Sequence, residues 1–300
     1  MSVITAESST STTQVMVAGD KPHWYTRAPL HIAVIVISVI WLLPTVSLLF
    51  TSTRSIQDIN TSMWWNVLIK PHQFTLDNYN QVLQAAGSVG MGRAFLNSLF
   101  ITIPATIFPI LIGAWAAYAF AWLRFPLRNT IFLTMVALQV IPLQMLLIPL
   151  LKLFTAWHIT GTYPALWIAH TAFGLPLTIY ILRNFISGIP YDLLESARID
   201  GASEFRIFLS IILPLTTPAI AAMAIFQFMW VWNDLLIALV FSGPNTAPMP
   251  VIVRSLVGEY GSGWQLMTSA AFISMVVPLV VFFSLQRYFV SGLTAGSVKG

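Results

Sequence analysis

The sequence predicts an all-α, polytopic membrane protein with six transmembrane helices. Hydrophobic residues make up 57% of the 300-residue chain and charged residues only 8%, whereas a soluble domain carries about 25% charged residues. The mean hydropathy of +0.80 agrees with this composition. Six separate stretches also reach the length of about 20 apolar residues that a membrane-spanning helix needs. A soluble chain of this size could not cover its surface with so few charges.

The six predicted spans are residues 30–52, 95–122, 130–151, 163–182, 207–240 and 266–285. The fifth stretch is too long for one straight span, and Pro214 and Pro218 interrupt it. Because proline removes a backbone donor and clashes with the preceding turn, we expect the first part to lie at the membrane surface. The true span then begins near Pro214.

The polar ends of the chain flank this transmembrane domain of residues 30–290. Residues 1–29 are rich in serine and threonine and lack the apolar core of a signal peptide. They are predicted to form a cytoplasmic, disordered tail. Span six is expected to end near residue 285, and residues 291–300 are predicted to be a flexible cytoplasmic tail because of Gly292, Gly296 and Gly300.

The distribution of positive charge predicts the orientation. Cytoplasmic loops carry an excess of lysine and arginine. If both termini are cytoplasmic, nine of the 14 basic residues lie inside: Lys21, Arg27, Arg124, Arg128, Arg183, Arg198, Arg206, Arg287 and Lys299. We therefore expect a multi-pass membrane protein with both termini cytoplasmic.

The long loop of residues 53–92 would then face outside. Trp64 and Trp65 are suited to the headgroup boundary. Thr75 is expected to cap a short interfacial helix that runs to about Leu83.

Several kinds of chemistry lack a sequence signature. The chain has no cysteine, and its five histidines lack metal-ligand spacing, so no metal site is predicted. No lysine follows a glycine, which excludes a phosphate-binding loop of the Gly-Lys type. Within the spans, His170 and Asp234 are the titratable candidates, and the sequence gives neither an apparent partner. The sequence thus disfavours an ion-coupled transporter, which needs ionisable groups near mid-membrane, and no paired carboxylates suggest an enzyme.

The most informative segment is the loop of residues 188–214, which we name the coupling loop. Pro190 suits a first helical turn, and Asp192 suits the positive end of a helix dipole. Gly201 follows Asp200 in a turn signal and is free to adopt positive φ. Ser203 can cap the next helix. On spacing alone, the loop is either an ordinary connector or a surface built for a partner.

A resemblance favours the partner surface. Glu195-Ser196-Ala197, Gly201 and Leu213-Pro214 resemble the coupling-loop motif of bacterial ABC-importer permeases, in which Ser196 replaces the first alanine of Glu-Ala-Ala. Four other segments resemble the sugar-importing branch: Asn97-Ser98-Leu99, Ala117-Tyr118-Ala119-Phe120, Ile141-Pro142-Leu143-Gln144 and Trp232-Asn233-Asp234. The C-terminus is similar to that of the smaller maltose-permease type, so the resemblance extends from about residue 30 to residue 300.

The resemblance implies a type I ABC-importer permease fold, a bacterial plasma (inner) membrane and a set of partners. These are a second, homologous permease, two ATPase subunits that bind ATP and Mg²⁺, and an extracytoplasmic sugar-binding protein. The chain itself would bind no cofactor and would not be an enzyme. The residues expected to contact an ATPase are Glu195, Ser196, Ala197, Asp200, Gly201 and Ala202, and those expected to reach toward it from the tail are Gly292, Thr294, Gly296 and Lys299.

The substrate path is predicted from residue type, because sugar sites combine aromatic faces with amide and carboxylate hydrogen bonds. The candidates are Gln139, Gln144, Gln227, Trp232, Asn233 and Asp234. Residues 61–65 with Phe74-Thr75 resemble an α-glucoside subgroup. The alternatives are the same machinery importing glycerol-phosphate or a polyol, and an ion-coupled secondary transporter acting alone.

Overall fold

The computed structural model describes residues 24–84, 90–256 and 263–295, which contain helices and no strand. The chain divides into two compact units, Met1–Ser47 and Leu48–Gly300. The helices are α1 (Trp24–Ser52), α2 (Ile56–Thr61), α3 (Asn66–Ile69), α4 (Asp77–Gln84), α5 (Met91–Trp122), α6 (Arg128–Leu138), α7 (Leu143–Ala156), α8 (Tyr163–Ile186), α9 (Tyr191–Ile199), α10 (Glu204–Ile207), α11 (Leu213–Trp232), α12 (Leu236–Phe241), α13 (Met249–Ser255) and α14 (Trp264–Ala295).

Five of the described helices are long and apolar enough to cross a membrane, and a bent pair makes a sixth candidate. The five are Ala28–Ser52, Met91–Trp122, Tyr163–Ile186, Glu204–Trp232 and Trp264–Ser284. Predicted spans one, two, four and six therefore coincide with long helices. Residues 24–29 of the predicted tail are helical, because α1 begins at Trp24 and carries Pro29 inside it. The rest of the predicted disordered tail lies outside the described residues.

The third predicted span, residues 130–151, is not one continuous helix. The chain bends by 100° between α6 and α7. Pro142 is the N-cap of α7 and has an extended backbone (ψ 129°). Proline also disfavours helical geometry in the residue before it. The third candidate is consequently a bent helix pair, which fits a broken span or a re-entrant loop.

The fifth span also differs from the prediction. One helical stretch runs from Glu204 to Trp232 without stopping at Pro214. Its segment Phe208–Ile212 is a π-helix that leads directly into α11. The wider turn accommodates a proline that cannot donate to the preceding turn. The stretch ends at Trp232, and the predicted continuation to residue 240 belongs to α12.

The centre of the bundle is formed by α5, α8 and α11, which pack closely through small residues. A Cβ atom at Gly113 would lie 2.8 Å from Cγ2 of Thr178. A Cβ atom at Gly174 would lie 2.5 Å from Nε2 of Gln227. Glycine at these two positions lets neighbouring helices approach, as small residues do in membrane bundles.

The loop after α1 is organised around a buried arginine. Arg54 is 1% exposed. Its Nη2 donates to the carbonyl of Asp58 at 2.7 Å and to Oε1 of Gln73 at 3.2 Å, and Nη1 donates to the carbonyl of Ser62 at 3.3 Å. Nδ2 of Asn78 donates to the Arg54 carbonyl at 2.8 Å. These bonds tie α2, the short turns and α4 to the end of α1.

The predicted short helix after Thr75 is present as α4. Thr75 lies two residues before its first residue, and the Thr75 Oγ1 accepts a hydrogen bond from the Asp77 N–H at 3.1 Å. The ring of Trp64 stacks on Phe50, with centroids 5.9 Å apart.

Candidate functional site

The coupling loop folds as a short helix, a glycine turn and a second helix start. Pro190 is the N-cap of α9 rather than a member of its first turn, since its ψ of 131° is not helical. After α9, the N–H of Gly201 donates to the Arg198 carbonyl and that of Ala202 to the Ala197 carbonyl. These two bonds form a Schellman motif, which requires a left-handed residue after the helix. Gly201 has φ +80°, so its predicted positive φ is confirmed.

The second helix start is also capped as predicted. Ser203 is the N-cap of α10, and its Oγ accepts a hydrogen bond from the Arg206 N–H at 3.4 Å. This α10 then continues through the π-helix into α11. The coupling loop is thus covalently continuous with one of the central spans.

Arg198 turns toward Glu204 rather than toward Glu195, which lies three residues before it on α9. Arg198 Nε donates to Glu204 Oε1 at 2.8 Å, and Nη2 donates to Oε2 at 3.3 Å. The same carboxylate accepts a short hydrogen bond from the hydroxyl of Tyr118 on α5. The bond to Glu204 also raises the pKa of Arg198. A network of three side chains therefore links α9, α10 and α5, and sequence analysis missed Glu204 because its partners lie in separate helices.

Burial anchors one side of α9 to the bundle. Leu194 is fully buried in a cluster with Ile186, Ile207 and Phe208. Trp122, the last residue of α5, donates from Nε1 to the Ile186 carbonyl at 3.1 Å. A displacement of α9 must therefore be transmitted to α5, α8 and α11, or these contacts must break.

The other side of α9 is open. The predicted contact residues Glu195, Ser196, Asp200 and Gly201 are exposed, and Ala197 and Ala202 are half-buried. No atom lies within 4 Å of a Cβ built at Gly201. Three large apolar side chains nearby are exposed as well: Leu193 by 44%, Ile199 by 81% and Phe205 by 61%. Apolar exposure of this kind marks an interaction surface.

The predicted path residues differ in burial and in hydrogen-bond partners. Gln139 and Gln144 are exposed at the two sides of the α6–α7 bend. Gln227 is buried, and its Nε2 donates to the Ala105 carbonyl at 3.1 Å. Trp232 is 1% exposed, and its Nε1 donates to the Ser274 carbonyl at 3.2 Å. Gln227 and Trp232 therefore form hydrogen bonds between helices, whereas Gln139 and Gln144 are exposed at the bend.

The remaining two path candidates, Asn233 and Asp234, follow α11. Asn233 is exposed at a cavity of 470 Å³ between α11, α13 and α14. Asp234 Oδ2 accepts from the Ala238 N–H at 3.1 Å and lies 3.5 Å from Nε2 of His170. His170 and Asp234 therefore face each other, contrary to the expectation that neither has a partner. They are 64 residues apart in sequence, so the pairing had no sequence signal.

Asn97 and Ser98 acquire a structural role that sequence analysis did not identify. Asn97 Nδ2 donates to the carbonyls of Asn245 (3.0 Å) and Ala247 (2.9 Å), and its Oδ1 accepts from the Tyr163 hydroxyl at 2.7 Å. Ser98 Oγ accepts a hydrogen bond from the Met249 N–H, 151 residues later in the chain, at 2.8 Å. These bonds hold the α12–α13 connection against α5 and α8.

The C-terminal tail differs from its prediction. The helix α14 continues through Gly292 and Thr294 to Ala295, so these two residues are helical rather than part of a flexible tail. A single glycine costs a helix only about 1 kcal/mol relative to alanine and need not end it. Gly296 and Lys299 lie outside the described residues.

Comparison with known proteins agrees with this architecture. Residues 109–295 match the family described as "Binding-protein-dependent transport system inner membrane component". The chain belongs to this family. Members of this permease family are transport subunits, and the matched region contains the whole coupling loop.

Two relatives cover most of the chain. It is 51% identical over 284 residues to the "Osmoprotective compounds uptake permease protein GgtD" of Synechocystis sp., covering 93% of this chain and 94% of that protein. It is 54% identical over 237 residues to the "Alpha-glucoside transport system permease protein AglG" of Rhizobium meliloti, covering 77% of this chain and 62% of that protein.

A solved structure shares the permease fold. It is a chain of a bacterial ABC transporter involved in the import of the acidic polysaccharide alginate. The TM-score is 0.71 at 19% identity, and the match covers 88% of this chain and 98% of that one. The fold is therefore that of a type I ABC-importer permease, as the sequence predicted.

Proposed function

We propose that this chain is a permease subunit of an ATP-driven, binding-protein-dependent importer of a neutral sugar of the α-glucoside type. The observation that carries the proposal is the 54% identity to the α-glucoside permease of Rhizobium meliloti. The polar side chains of the predicted substrate path support a neutral solute. Of the path candidates only Asp234 is acidic, and its carboxylate accepts a hydrogen bond from the Ala238 N–H and lies 3.5 Å from Nε2 of His170.

The proposed assembly contains a second, homologous permease, two ATPase subunits and an extracytoplasmic sugar-binding protein. In the proposed assembly, this chain binds no nucleotide, and the ATPase subunits bind and hydrolyse ATP with Mg²⁺. Both termini lie in the cytoplasm, and α9 faces the same side. A reporter fused after Gly300 is expected to be active only in the cytoplasm, and an extracellular signal would refute this orientation.

The open side of α9 is the proposed ATPase contact. A nine-residue helix is marginal in isolation, so α9 depends on what it packs against. Leu194 and the Arg198–Glu204–Tyr118 network supply contacts on the bundle side. Glu195, Asp200 and the turn at Gly201 supply the partner side. Movement of a docked ATPase would then shift α9 together with α10 and α11, and the end of α11 borders the proposed path.

The coupling role is tested by Gly201→Asp and Glu195→Ala. Each variant is expected to remain in the membrane but to weaken ATPase co-purification or substrate-stimulated ATPase activity. We expect Gly201→Asp to have the larger effect, because it adds bulk and charge at the contact. Gly201→Asn is the matched control for the turn, since asparagine tolerates positive φ, and Asp192→Ala is the control for Glu195. Normal docking and coupling in both test variants would refute the role.

A second substrate candidate is an osmoprotective solute such as a polyol, or glycerol-phosphate. The 51% identity over 93% of the chain to the Synechocystis permease favours an osmoprotective compound. Uptake of radiolabelled α-glucoside and polyol by cells with and without this chain would separate the two. Transport by the purified chain without any ATPase would refute both and would favour an ion-coupled carrier.

A further inference from the structure

A basic cavity lies beside the coupling loop. It has a volume of 840 Å³ and is bordered by the turn between α5 and α6 and by α9. We name it the arginine cavity, after its lining residues Arg124, Arg128 and Arg198. Its size is within the range of about 300–1,000 Å³ typical of ligand sites.

The charges of the arginine cavity are not balanced within the described chain. Its one lining carboxylate, Glu204, is occupied by Arg198 and by the Tyr118 hydroxyl. Among the described residues, neither Arg124 nor Arg128 forms an ion pair. Arg128 donates from Nη1 to the Leu123 carbonyl at 3.0 Å. This bond fixes one edge of its guanidinium and leaves other N–H groups for a ligand. The cavity is therefore suited to an anion that accepts several hydrogen bonds, and arginine binds phosphate in this way.

The turn between α5 and α6 holds a residue in an unusual backbone conformation and begins an exposed apolar face. Leu127 adopts a left-handed conformation (φ 58°) and is the N-cap of α6 without a side-chain cap bond. A non-glycine residue held in this region costs about 1–3 kcal/mol, and such residues cluster at functional sites. Leu127 is 70% exposed, and Ile131 and Leu138 on the same helical face are 47% and 57% exposed. An exposed apolar stripe thus leads from the cavity along α6.

We propose that the arginine cavity binds the phosphate group of an anionic phospholipid, with an acyl chain along the α6 stripe. The two unpaired arginines select the anionic headgroup, and the adjoining apolar stripe favours a lipid over a soluble phosphate. Basic pockets between transmembrane helices are known to hold anionic headgroups. Because Arg198 belongs to both the cavity and the α9 network, a bound headgroup stabilises the docked position of α9.

Binding of phosphatidylglycerol to the purified full-length chain in detergent tests this proposal by native mass spectrometry. The double variant Arg124→Gln, Arg128→Gln is expected to lower the apparent affinity for phosphatidylglycerol about thirtyfold, since each arginine near a lipid surface contributes a factor of about five. The single variant Arg124→Gln keeps the Arg128–Leu123 bond and should lose part of this affinity. The control is Arg93→Gln, Lys152→Gln, which removes two exposed charges elsewhere and should retain binding.

Several results would overturn the proposal. They are an equal loss of binding in the control variant, equal affinity for phosphatidylcholine, and full competition by inorganic phosphate, which would indicate a soluble anion. A fourth such result is that the Arg124→Gln, Arg128→Gln variant fails to co-purify with the ATPase in lipid-free detergent. That result would assign the cavity to the ATPase contact. Retained co-purification with lost lipid binding is the expected pattern, and it leaves the proposed transport function unaffected.

Discussion

Replacing Leu194 with alanine should release α9 from the bundle while the spans stay folded. Leu194 is fully buried beside Ile186 and Ile207, and a buried Leu→Ala change costs about 2–5 kcal/mol. The remaining Arg198–Glu204 pair has side chains 28% and 42% exposed. A pair so exposed contributes at most about 1 kcal/mol, so it cannot replace the lost packing. With a loss of about 3 kcal/mol, the open population of α9 rises roughly a hundredfold.

Limited trypsin digestion in detergent measures this opening, with cleavage after Arg198 read by mass spectrometry. When reclosing is faster than cleavage, the cleavage rate follows the open population. We expect a roughly hundredfold faster cut in Leu194→Ala. The neighbouring Leu193→Ala is the matched control because Leu193 is 44% exposed, and surface changes stay within about 0.5 kcal/mol. Equal cleavage of the two variants would refute the anchoring of α9 by burial.

Three further predictions follow from contacts in the bundle and from the tail. Tyr118→Phe removes the hydroxyl that donates to Glu204 and should destabilise the chain by about 1–3 kcal/mol, measured by thermal unfolding in detergent. Gly174→Ala places a Cβ atom 2.5 Å from Nε2 of Gln227; overpacking of this kind should cost about 1–3 kcal/mol in the same assay. Deletion of residues 293–300 should leave the chain inserted but lower transport or ATPase coupling, measured by uptake and substrate-stimulated hydrolysis.

Each of these has a control. Tyr180→Phe retains the ring and removes a hydroxyl from a 41% exposed tyrosine, so it should leave the unfolding temperature unchanged. Addition of Gln227→Ala to Gly174→Ala should recover part of the lost stability, and an additive loss would contradict the steric explanation. Normal coupled transport by the truncated chain would contradict a role for the tail.

Local signals were sufficient where a short segment determines its own structure. Gly201 after Asp200 predicted a left-handed turn, and the Schellman bonds of that turn join residues at most five apart. Ser203 predicted a helix cap for the same reason, since a cap contacts only the first turn of its own helix. Four spans were located by apolar length, because the interior of a bilayer requires helices of about 20 apolar residues.

Proline was the weakest local signal. The sequence predicted a break at Pro214, but the helix continues there directly after the π-helix of residues 208–212. It predicted no break at Pro142, but the structure bends by 100° at that position. A proline always removes one donor, but whether the helix widens or breaks depends on how neighbouring helices satisfy the freed carbonyls. Packing decides this, and a hydropathy window does not contain it.

The sequence by itself determined the membrane class, four of the spans, and the glycine turn and serine cap of the coupling loop. Only the tertiary structure decided which side chains meet across them. Arg198 pairs with Glu204 rather than Glu195, His170 faces Asp234, and Asn97 reaches backbone about 150 residues away. The physical reason is that a lone polar group in a helix bundle must find a partner, but the partner is chosen by helix packing. Apolar composition fixes that these helices span the membrane, and their close packing at small residues fixes which polar groups are brought together.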